Sequence, residues 1–255
     1  MIEVRAKKRL GQHFLTDESV AKAIAETLPM GNGLPVLEIG PGMGVLTKYL
    51  KVIHGERLTA VEVDHESVEF LMREMSDVRV VEGDFLKLDL EKLFPGGGDF
   101  MVIGNYPYNI SSQIFFKVLE NRDRIPVCAG MIQKEVAERI AARPGSKTYG
   151  ITSVLLQAFY EIEYLMTVHE HVFNPPPKVK SAVIRMTRNG RKSLGCDERL
   201  FIDIVKRAFN QRRKTMRNSL KTLLNERIEN EDVFNRRPES MSVEEFVALT
   251  NLIKG

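Results

Sequence analysis

Five short apolar runs recur along the first half of the chain, and most are followed by a stretch with helical periodicity. The apolar runs cover residues 34–40, 57–64, 78–84, 99–105 and 125–133, and amphipathic stretches cover residues 44–53, 65–75 and 111–122. Near-continuous apolar strands alternating with such helices are typical of a parallel sheet that is covered by helices on both faces. We therefore predict an α/β fold built on a mostly parallel sheet.

The pattern of apolar positions changes twice further along. Residues 149–160 again have helical periodicity, but residues 163–173 and 178–188 resemble two strands with no helix between them. Such a pair predicts antiparallel strands at the edge of the sheet.

After Arg188, a polar linker that contains glycine covers residues 189–198. Helical periodicity follows over residues 199–209, 215–228 and 242–255, and the last stretch begins with a capping-box signature, Ser242 and Glu245. The pattern therefore predicts an α/β domain over residues 1–189 and a small all-helical domain over residues 190–255.

Composition limits the class of protein. With 43% hydrophobic residues among 255, the chain can bury a sizeable core. The N-terminus lacks the apolar segment of a signal peptide, and no apolar stretch approaches the roughly 20 residues of a membrane span. Cys128 and Cys196 are far apart and lack metal or redox spacing, which favours a cytoplasmic location.

Charge is distributed unevenly although the whole chain carries only +3. Residues 1–10, with Glu3 against Arg5, Lys7, Lys8 and Arg9, have a net charge of +3, and residues 188–221 have +8. Residues 11–187 have −5 and residues 222–255 have −3. This asymmetry predicts a polyanionic partner, most simply a nucleic acid, although a solvated basic helix face is the alternative.

Four polar or glycine residues end successive predicted strands. They are Gly40, in the glycine turn Gly-Pro-Gly-Met-Gly, and Glu62, Asp84 and Asn105. Ligands bind at the carboxyl edge of an open parallel sheet, where glycine allows close approach and a carboxylate can accept hydrogen bonds from ribose hydroxyls. The pattern predicts a cofactor that contains adenosine, with NAD as the alternative at this point.

The fourth strand ends in Asn105-Tyr106-Pro107-Tyr108. Pro107 stiffens the turn, and the Asn105 side-chain carbonyl and the Tyr106 main-chain carbonyl are acceptors for an exocyclic amino group. The ring of Tyr108 offers a face on which a planar base can stack. An amine held in this way could attack an electrophilic methyl group, whereas the plain alternative is a tight turn whose tyrosines pack on neighbours.

Six short segments resemble the motifs of a known family and occur in this order along the chain: GQHFL (11–15), EIGPGMGVLT (38–47), VEVD (61–64), GDF (83–85), NYPYNISS (105–112) and FNPPPKVKSAV (173–183). Together they resemble the ribosomal RNA adenine N6,N6-dimethyltransferases, and most of all the bacterial small-subunit branch, the kasugamycin-sensitivity methyltransferases. The resemblance covers essentially the whole chain. It implies a Rossmann-like class I methyltransferase fold with a seven-stranded sheet and S-adenosyl-L-methionine as methyl donor. It also implies dimethylation of two adjacent adenosines in the 3′-terminal hairpin loop of 16S rRNA, late in assembly of the small subunit.

The same resemblance implies roles for single residues. The cofactor would be bound by His13, Leu15, Gly40, Gly42, Glu62, Asp84 and Asn105. The target adenine would be bound by Asn105, Tyr106, Pro107 and Tyr108, with Phe173 closing over its other face. Two positions depart from the family's usual residues, since His13 stands where Asn is frequent and Tyr106 stands where Leu is frequent.

Basic residues in two places are candidates for contact with RNA. They are Lys178 and Lys180 after the prolines, and Arg212, Arg213, Lys214 and Arg217 in the run 206–221, which contains seven basic residues and no acidic one. His169 and His171 alternate on a predicted strand without further ligands, so we expect no metal.

Three other functions remain open from the sequence. They are a large-subunit rRNA methyltransferase of the macrolide-resistance type, a non-catalytic RNA-binding or ribosome-assembly factor, and an NAD oxidoreductase. The glycine spacing and the lack of a hydride-transfer constellation disfavour the last. No self-association pattern is evident, so we expect a monomer that acts on an assembly intermediate of the 30S subunit.

Overall fold

The computed structural model describes residue 4 and residues 6–255, so Glu3 and Arg5 of the basic stretch 1–10 lie outside the described residues. The chain forms two compact units. The first runs to Ala137 and includes Ile162–Arg188, and the second contains Glu138–Glu161 and Asn189–Gly255. Residues 138–161, which the sequence prediction placed in the first domain, therefore belong to the second unit.

Nine strands are present in the described part of the chain. They are β1 (Phe14–Leu15), β2 (Val36–Ile39), β3 (Leu58–Glu62), β4 (Arg79–Glu82), β5 (Met101–Asn105), β6 (Val127–Gln133), β7 (Tyr160–Val168), β8 (Phe173–Asn174) and β9 (Ser181–Arg188). Seven of them form one sheet in the order β4-β3-β2-β5-β6-β9-β7. Strands β2 to β6 pair in parallel, as the apolar pattern predicted. The two predicted edge strands, β9 and β7, are neighbours at the edge of the sheet, and β9 pairs antiparallel with β6.

The described part of the chain also contains ten α-helices. They are α1 (Glu18–Ala25), α2 (Thr47–His54), α3 (His65–Glu74), α4 (Leu90–Leu93), α5 (Ser111–Glu120), α6 (Lys134–Ile140), α7 (Ile151–Gln157), α8 (Glu198–Asn210), α9 (Met216–Ser219) and α10 (Val243–Lys254). The strand order reverses direction at β2, since β3 and β4 lie on one side of it and β5 and β6 on the other. Crossovers between parallel strands are almost always right-handed, so such a reversal puts the connecting helices on opposite faces of a sheet. The predicted α/β fold with a mostly parallel, seven-stranded sheet is therefore confirmed.

A small two-stranded ribbon was not predicted. Strand β1 pairs antiparallel with β8, so that Leu15 lies opposite Phe173. The predicted strand 163–173 was wrong in its second half, because β7 ends at Val168 and a 3₁₀ turn over Glu170–Val172 leads into β8. The ribbon joins segments about 160 residues apart, and no local pattern signals it.

The second unit is helical and has its own core. Helix α8 packs on α7, α9 and α10 around buried Phe201, Phe234 and Phe246. The predicted capping box is present, because the main-chain N–H of Glu245 donates to Ser242 Oγ (3.2 Å) and that of Ser242 donates to Glu245 Oε2 (2.8 Å).

The long helix predicted over residues 215–228 is wrong. Helix α9 ends at Ser219, and a 3₁₀ turn over Lys221–Leu223 follows. Ser219 Oγ donates back to the carbonyl oxygens of Thr215 (3.3 Å) and Met216 (3.4 Å), and such local side-chain bonds compete with helix propagation. Arg217 then binds the Glu229 carbonyl oxygen, which fixes the chain in a compact, non-helical path.

Within residue 4 and residues 6–255, no helix is both long and apolar enough to cross a membrane. Both cysteines, buried Cys128 and half-buried Cys196, are free thiols.

Candidate functional site

A cleft that is open to solvent lies in the first unit where β2, β3 and β5 end. Nine of the residues predicted for the site line it: His13, Leu15, Gly40, Gly42, Glu62, Asn105, Tyr106, Pro107 and Tyr108. Four strand ends were predicted to meet here, and three of them do. Asp84, the fourth, is absent from the lining.

The glycine turn after β2 has the backbone that only glycine adopts readily. Gly40 and Gly42 have φ angles of +67° and +56°. A Cβ atom on Gly42 would lie 3.0 Å from the ring of Phe14, which is closer than ordinary contact. The turn therefore leaves main chain, rather than side chains, as the wall of the cleft.

Glu62 holds this turn in place. Its Oε2 accepts the N–H of Gly42 (3.1 Å), and its Oε1 accepts those of Val63 (2.8 Å) and Asp64 (2.9 Å). Burial nevertheless raises the pKa of Glu62, although these backbone donors oppose the shift. About four lone pairs are available on a carboxylate, so Glu62 retains limited capacity to bind a ribose hydroxyl as well.

A second carboxyl group, Glu38, lines the cleft and was missed by the sequence predictions. Its side chain is 1% exposed, and its Oε2 has no hydrogen-bond partner among the described residues. Burial raises the pKa of Glu38 to about 8, with the Thr47 hydroxyl opposing the shift and the Glu62 charge adding to it. The carboxyl group is therefore largely protonated at neutral pH, and a positively charged ligand group beside it would favour its ionised form.

The N-terminal segment of residues 7–16, which we call the arm, forms one wall of the cleft. Lys7 Nζ forms an ion pair with the buried carboxylate of Asp64, just after β3, and lies 3.1 Å from Glu66 Oε1. Gln12 Nε2 also donates to Asp64 (3.4 Å). Although burial opposes it, these donors hold the pKa of Asp64 below its usual value.

The other end of the arm is fixed by the β1–β8 ribbon. Thr16 donates to the Val172 carbonyl oxygen from both its main-chain N–H (2.8 Å) and its hydroxyl (2.9 Å). His13 Nδ1 lies 2.8 Å from the Pro175 carbonyl oxygen, and only a protonated Nδ1 can donate to that acceptor. The arm is therefore anchored to both β3 and β8.

Asn105 is the last residue of β5, and a hydrogen bond defines the orientation of its side-chain amide. Its Nδ2 donates to the His13 carbonyl oxygen at 3.2 Å, so its Oδ1 points elsewhere. No donor of the described residues reaches Asn105 Oδ1 or the Tyr106 carbonyl oxygen. Two neighbouring acceptors are therefore available on the cleft wall.

The side chain of Tyr106 turns away into the protein. It is 1% exposed, its hydroxyl donates to the Ala129 carbonyl oxygen (2.7 Å), and its ring meets Phe115 edge-on. Cβ atoms on Gly104 or Gly130 would lie 3.0 Å or less from this ring, so both glycines are needed to accommodate a tyrosine here. Only the main chain of Tyr106 is available to a ligand.

Among the described residues, the ring of Tyr108 has one aromatic neighbour. Its hydroxyl is hydrogen-bonded to Ser181, and its ring stacks on His13 with centroids 5.3 Å apart and planes 29° apart. Burial raises the pKa of Tyr108, so the phenol stays neutral near pH 7. In this structure the protein's own imidazole covers one face of the predicted base platform.

Two predicted site residues lie outside the cleft lining. Asp84 accepts the N–H of Leu86 (3.0 Å) and lies 3.6 Å from Lys87 Nζ. Phe173 is 4% exposed and packs in the core of the first unit. A base-covering role for Phe173 would require β8 to rearrange.

The predicted RNA contacts fall into two groups. Lys178 and Lys180 in the first unit are exposed, and Val179 between them is an exposed apolar side chain. In the second unit, Arg213 and Lys214 are exposed, and their side chains form no hydrogen bond or ion pair with the described residues. The other two are engaged, because Arg212 donates to the Ser146 carbonyl oxygen (3.1 Å) and Arg217 to Asn235 Oδ1 (3.2 Å).

The residues of the cleft fit a cationic cofactor that carries adenosine. Glu38 is the unsatisfied acidic group, the glycine turn leaves room for a ligand against main chain, and Val63 is a half-exposed apolar residue of the lining. For metals, by contrast, no cluster of three or more His, Cys, Asp or Glu side chains occurs in the described ranges.

Comparison with known proteins gives a consistent result. Residues 3–253 match the model of the family described as "Ribosomal RNA adenine dimethylase". A protein of Parabacteroides distasonis named "Ribosomal RNA small subunit methyltransferase A" is 63% identical over 97% of this chain and 93% of its own length. A protein of Porphyromonas gingivalis with the same name is 55% identical over the full length of both chains.

Solved structures share the fold. A dimethyladenosine transferase from Plasmodium falciparum superposes with a TM-score of 0.80 at 23% identity, covering 95% of this chain and 98% of that one. The 23S rRNA methyltransferase ErmE superposes with a TM-score of 0.71 at 26% identity, covering 93% of this chain and 99% of its own.

Proposed function

Because this chain belongs to the ribosomal RNA adenine dimethylase family, we propose that it transfers methyl groups from S-adenosylmethionine to N6 of adenosines in small-subunit ribosomal RNA. The observation that carries this proposal is the pair of free acceptors at the end of β5, Asn105 Oδ1 and the Tyr106 carbonyl oxygen. An adenine amino group has two N–H donors, which these two acceptors match.

Hydrogen bonds to both protons would fix the amino group and direct its lone pair out of the base plane. This positioning is the main catalytic contribution that the residues offer. The two carbonyl dipoles would also stabilise the positive charge that develops on N6 during transfer. The product nitrogen then loses a proton readily, so no strong base is needed for the attack.

Tyr108 is proposed as the platform for the base. Stacking of a base on an aromatic ring contributes about 1–3 kcal/mol. Since His13 already lies against Tyr108, the target base would displace the imidazole or stack on the opposite face of the ring. The hydrogen bond to Ser181 keeps the phenol ring in place in either case.

Bound S-adenosylmethionine supplies an electrophilic methyl group. Glu38 would bind its positively charged end, and Glu62 and the glycine turn would bind the ribose. The arm would hold the cofactor against β2 and keep water from the reacting atoms, since residues 10–15 line the cleft. Asp84 remains proposed for the adenine of the cofactor, although it does not line the cleft as described.

The finer parts of the proposal concern the substrate. We place the modification on two adjacent adenosines of the 3′-terminal hairpin loop of 16S rRNA, in a 30S assembly intermediate. The protein would act as a monomer in the cytoplasm, which suits two free cysteines. Lys178 and Lys180 in the first unit, and Arg213 and Lys214 in the second, would contact phosphates.

The large-subunit alternative is disfavoured by the degree of similarity. The relatives named for the small subunit are 55–63% identical, whereas the 23S rRNA enzyme is 26% identical. A non-catalytic assembly factor would have no need of two free acceptors beside a cleft with an unsatisfied carboxyl group.

Primer extension on each rRNA tests the proposal. Dimethylation removes both N6 protons and blocks base pairing, so reverse transcription stops at the modified adenosine. We expect stops near the 3′ end of small-subunit RNA after incubation with protein and S-adenosylmethionine. Stops on large-subunit RNA alone would select the alternative, and their absence on both RNAs would refute a methyltransferase.

A further inference from the structure

The second unit contains a polar groove that the predictions did not include. It is open to solvent, has a volume of about 240 Å³ and lies between the end of α8 and the turn after α9. Its lining includes Arg207, Asn210, Gln211, Asn218, Lys221 and Thr222. We call it the 207–222 groove.

The groove is positively charged. Arg207 and Lys221 contribute cations, and its lining has no acidic and no apolar residue. The closest acidic partner is Asp203, one turn earlier on α8, whose Oδ2 accepts from Arg207 Nε at 2.7 Å. The segment around the groove, residues 206–221, contains no acidic residue. An anionic ligand is therefore favoured.

Arg207 is preorganised. Besides Asp203, its Nη1 donates to Thr222 Oγ1 at 3.1 Å, so two tethers fix the guanidinium plane. Its Nη2 has no partner in the described chain and is available to a ligand. A guanidinium held in this way loses little side-chain entropy when it binds a phosphate.

The amide side chains of the groove indicate a ligand that has hydrogen-bonding groups besides its negative charge. Asn210 and Gln211 are exposed and make no side-chain hydrogen bond within the described residues, and Asn218 uses only its Nδ2, toward Thr215 (3.2 Å). Amides both donate and accept, which suits ribose hydroxyls and base edges. The carboxyl end of α8 adds carbonyl groups that favour a ligand with donors over a bare anion.

We propose that the 207–222 groove binds a nucleotide of the RNA substrate other than the methylated adenosines. Arg207 and Lys221 contact its phosphate, and the amides of Asn210, Gln211 and Asn218 contact its ribose or base. This inference rests on the proposed function, because RNA is the polyanion that the enzyme would meet. It assigns the second unit a defined subsite in addition to the exposed cations Arg213 and Lys214.

The test compares three full-length variants in binding to small-subunit RNA across a salt series. Lys221→Gln should weaken binding about three- to tenfold at moderate salt and reduce the salt slope by about 0.7 to 0.9, the value of one phosphate contact. Asn210→Ala should weaken binding about twofold or more with an unchanged slope, since an amide releases no counterion. Arg227→Gln is the matched control, an exposed cation of the same unit outside the groove, and should leave affinity within twofold of wild type.

Methyl transfer is measured in the same samples. For Lys221→Gln, kcat at saturating RNA should equal that of wild type while KM rises, and thermal unfolding should be unchanged because Lys221 is exposed. Lys221→Gln and Asn210→Ala variants that bind like the Arg227→Gln control would overturn the site while leaving the methyltransferase intact. A wild-type protein that neither binds nor methylates this RNA would overturn the proposed function and the groove together.

Discussion

The side-chain amide of Asn105 donates to the main-chain carbonyl oxygen of His13 across 3.2 Å. The two residues are 92 positions apart, and the bond joins the arm to the end of β5. Because the bond uses the nitrogen of the amide, the oxygen is left for a ligand. This contact therefore holds the arm beside the cleft and leaves Asn105 Oδ1 as the acceptor on which the proposed chemistry depends.

Glu38 should couple stability to pH. Its pKa is about 8 in the folded protein and near 4.5 in the unfolded chain, so the folded state keeps a proton that the unfolded state loses between these values. The free energy of unfolding therefore falls as pH rises from about 4.5 to about 8. Glu38→Gln removes this dependence, so its advantage over wild type should grow across that window to a few kcal/mol.

Thermal or urea unfolding at pH 5, 6, 7 and 8 measures this effect, with Glu56→Gln as an exposed control. The same Glu38→Gln variant should bind S-adenosylmethionine at least tenfold more weakly by calorimetry, since the cationic cofactor favours the ionised form of the Glu38 carboxyl group and glutamine cannot ionise. If the free energy of unfolding of Glu38→Gln varied with pH as that of wild type does, and its cofactor affinity were unchanged, the roles given to Glu38 would be contradicted.

Lys7 should hold the arm over the cleft. Lys7→Met leaves the carboxylate of Asp64, which is 2% exposed, without its cation, so the arm should detach more readily. We expect cofactor affinity to fall several-fold and the cofactor's dissociation rate to rise, as measured by stopped-flow fluorescence. Lys8→Met, at an exposed neighbour, is the control, and equal behaviour of the two variants would rule out the anchoring role.

The four cations predicted for RNA contact in the run 206–221 should separate into two classes. Neutralising Arg213 and Lys214 together should reduce the salt slope of RNA binding by about 1.4 to 1.8 without changing thermal stability. Arg217→Gln should instead lower the melting temperature, because Arg217 binds Asn235 and the Glu229 carbonyl oxygen. Arg237→Gln serves as the exposed control, and an unchanged slope in the double variant would place the RNA elsewhere.

Tyr106 should matter for folding rather than for catalysis. Tyr106→Leu removes the buried ring and the hydrogen bond to Ala129, and we expect about 2–4 kcal/mol of destabilisation. Since only the main-chain carbonyl of this residue faces the cleft, kcat should stay within a few-fold of wild type at a temperature where both proteins are folded. Tyr164→Leu, at a half-buried tyrosine of β7, is the comparison. A large loss of kcat in Tyr106→Leu would assign the ring a direct role.

The sequence predicted the sheet and most of the cleft because both depend on local pattern. Apolar runs define the strands, and the residues that end parallel strands, such as Gly40, Glu62 and Asn105, must meet at one edge. Contacts between distant segments, such as Lys7 with Asp64 or Leu15 with Phe173, leave no local trace. Glu38 was missed because a charged residue inside an apolar strand resembles a solvent-facing position until its burial is known.

The most direct measurement is nucleoside analysis by mass spectrometry of small-subunit RNA treated with S-adenosylmethionine and either wild-type protein or Asn105→Ala. Wild-type protein should yield N6,N6-dimethyladenosine. Asn105→Ala should yield none while it still binds cofactor and unfolds at a similar temperature, with Asn121→Ala, at the end of α5, as an active control. Dimethyladenosine in equal amounts from wild-type protein and Asn105→Ala would contradict the proposed role of the β5 turn.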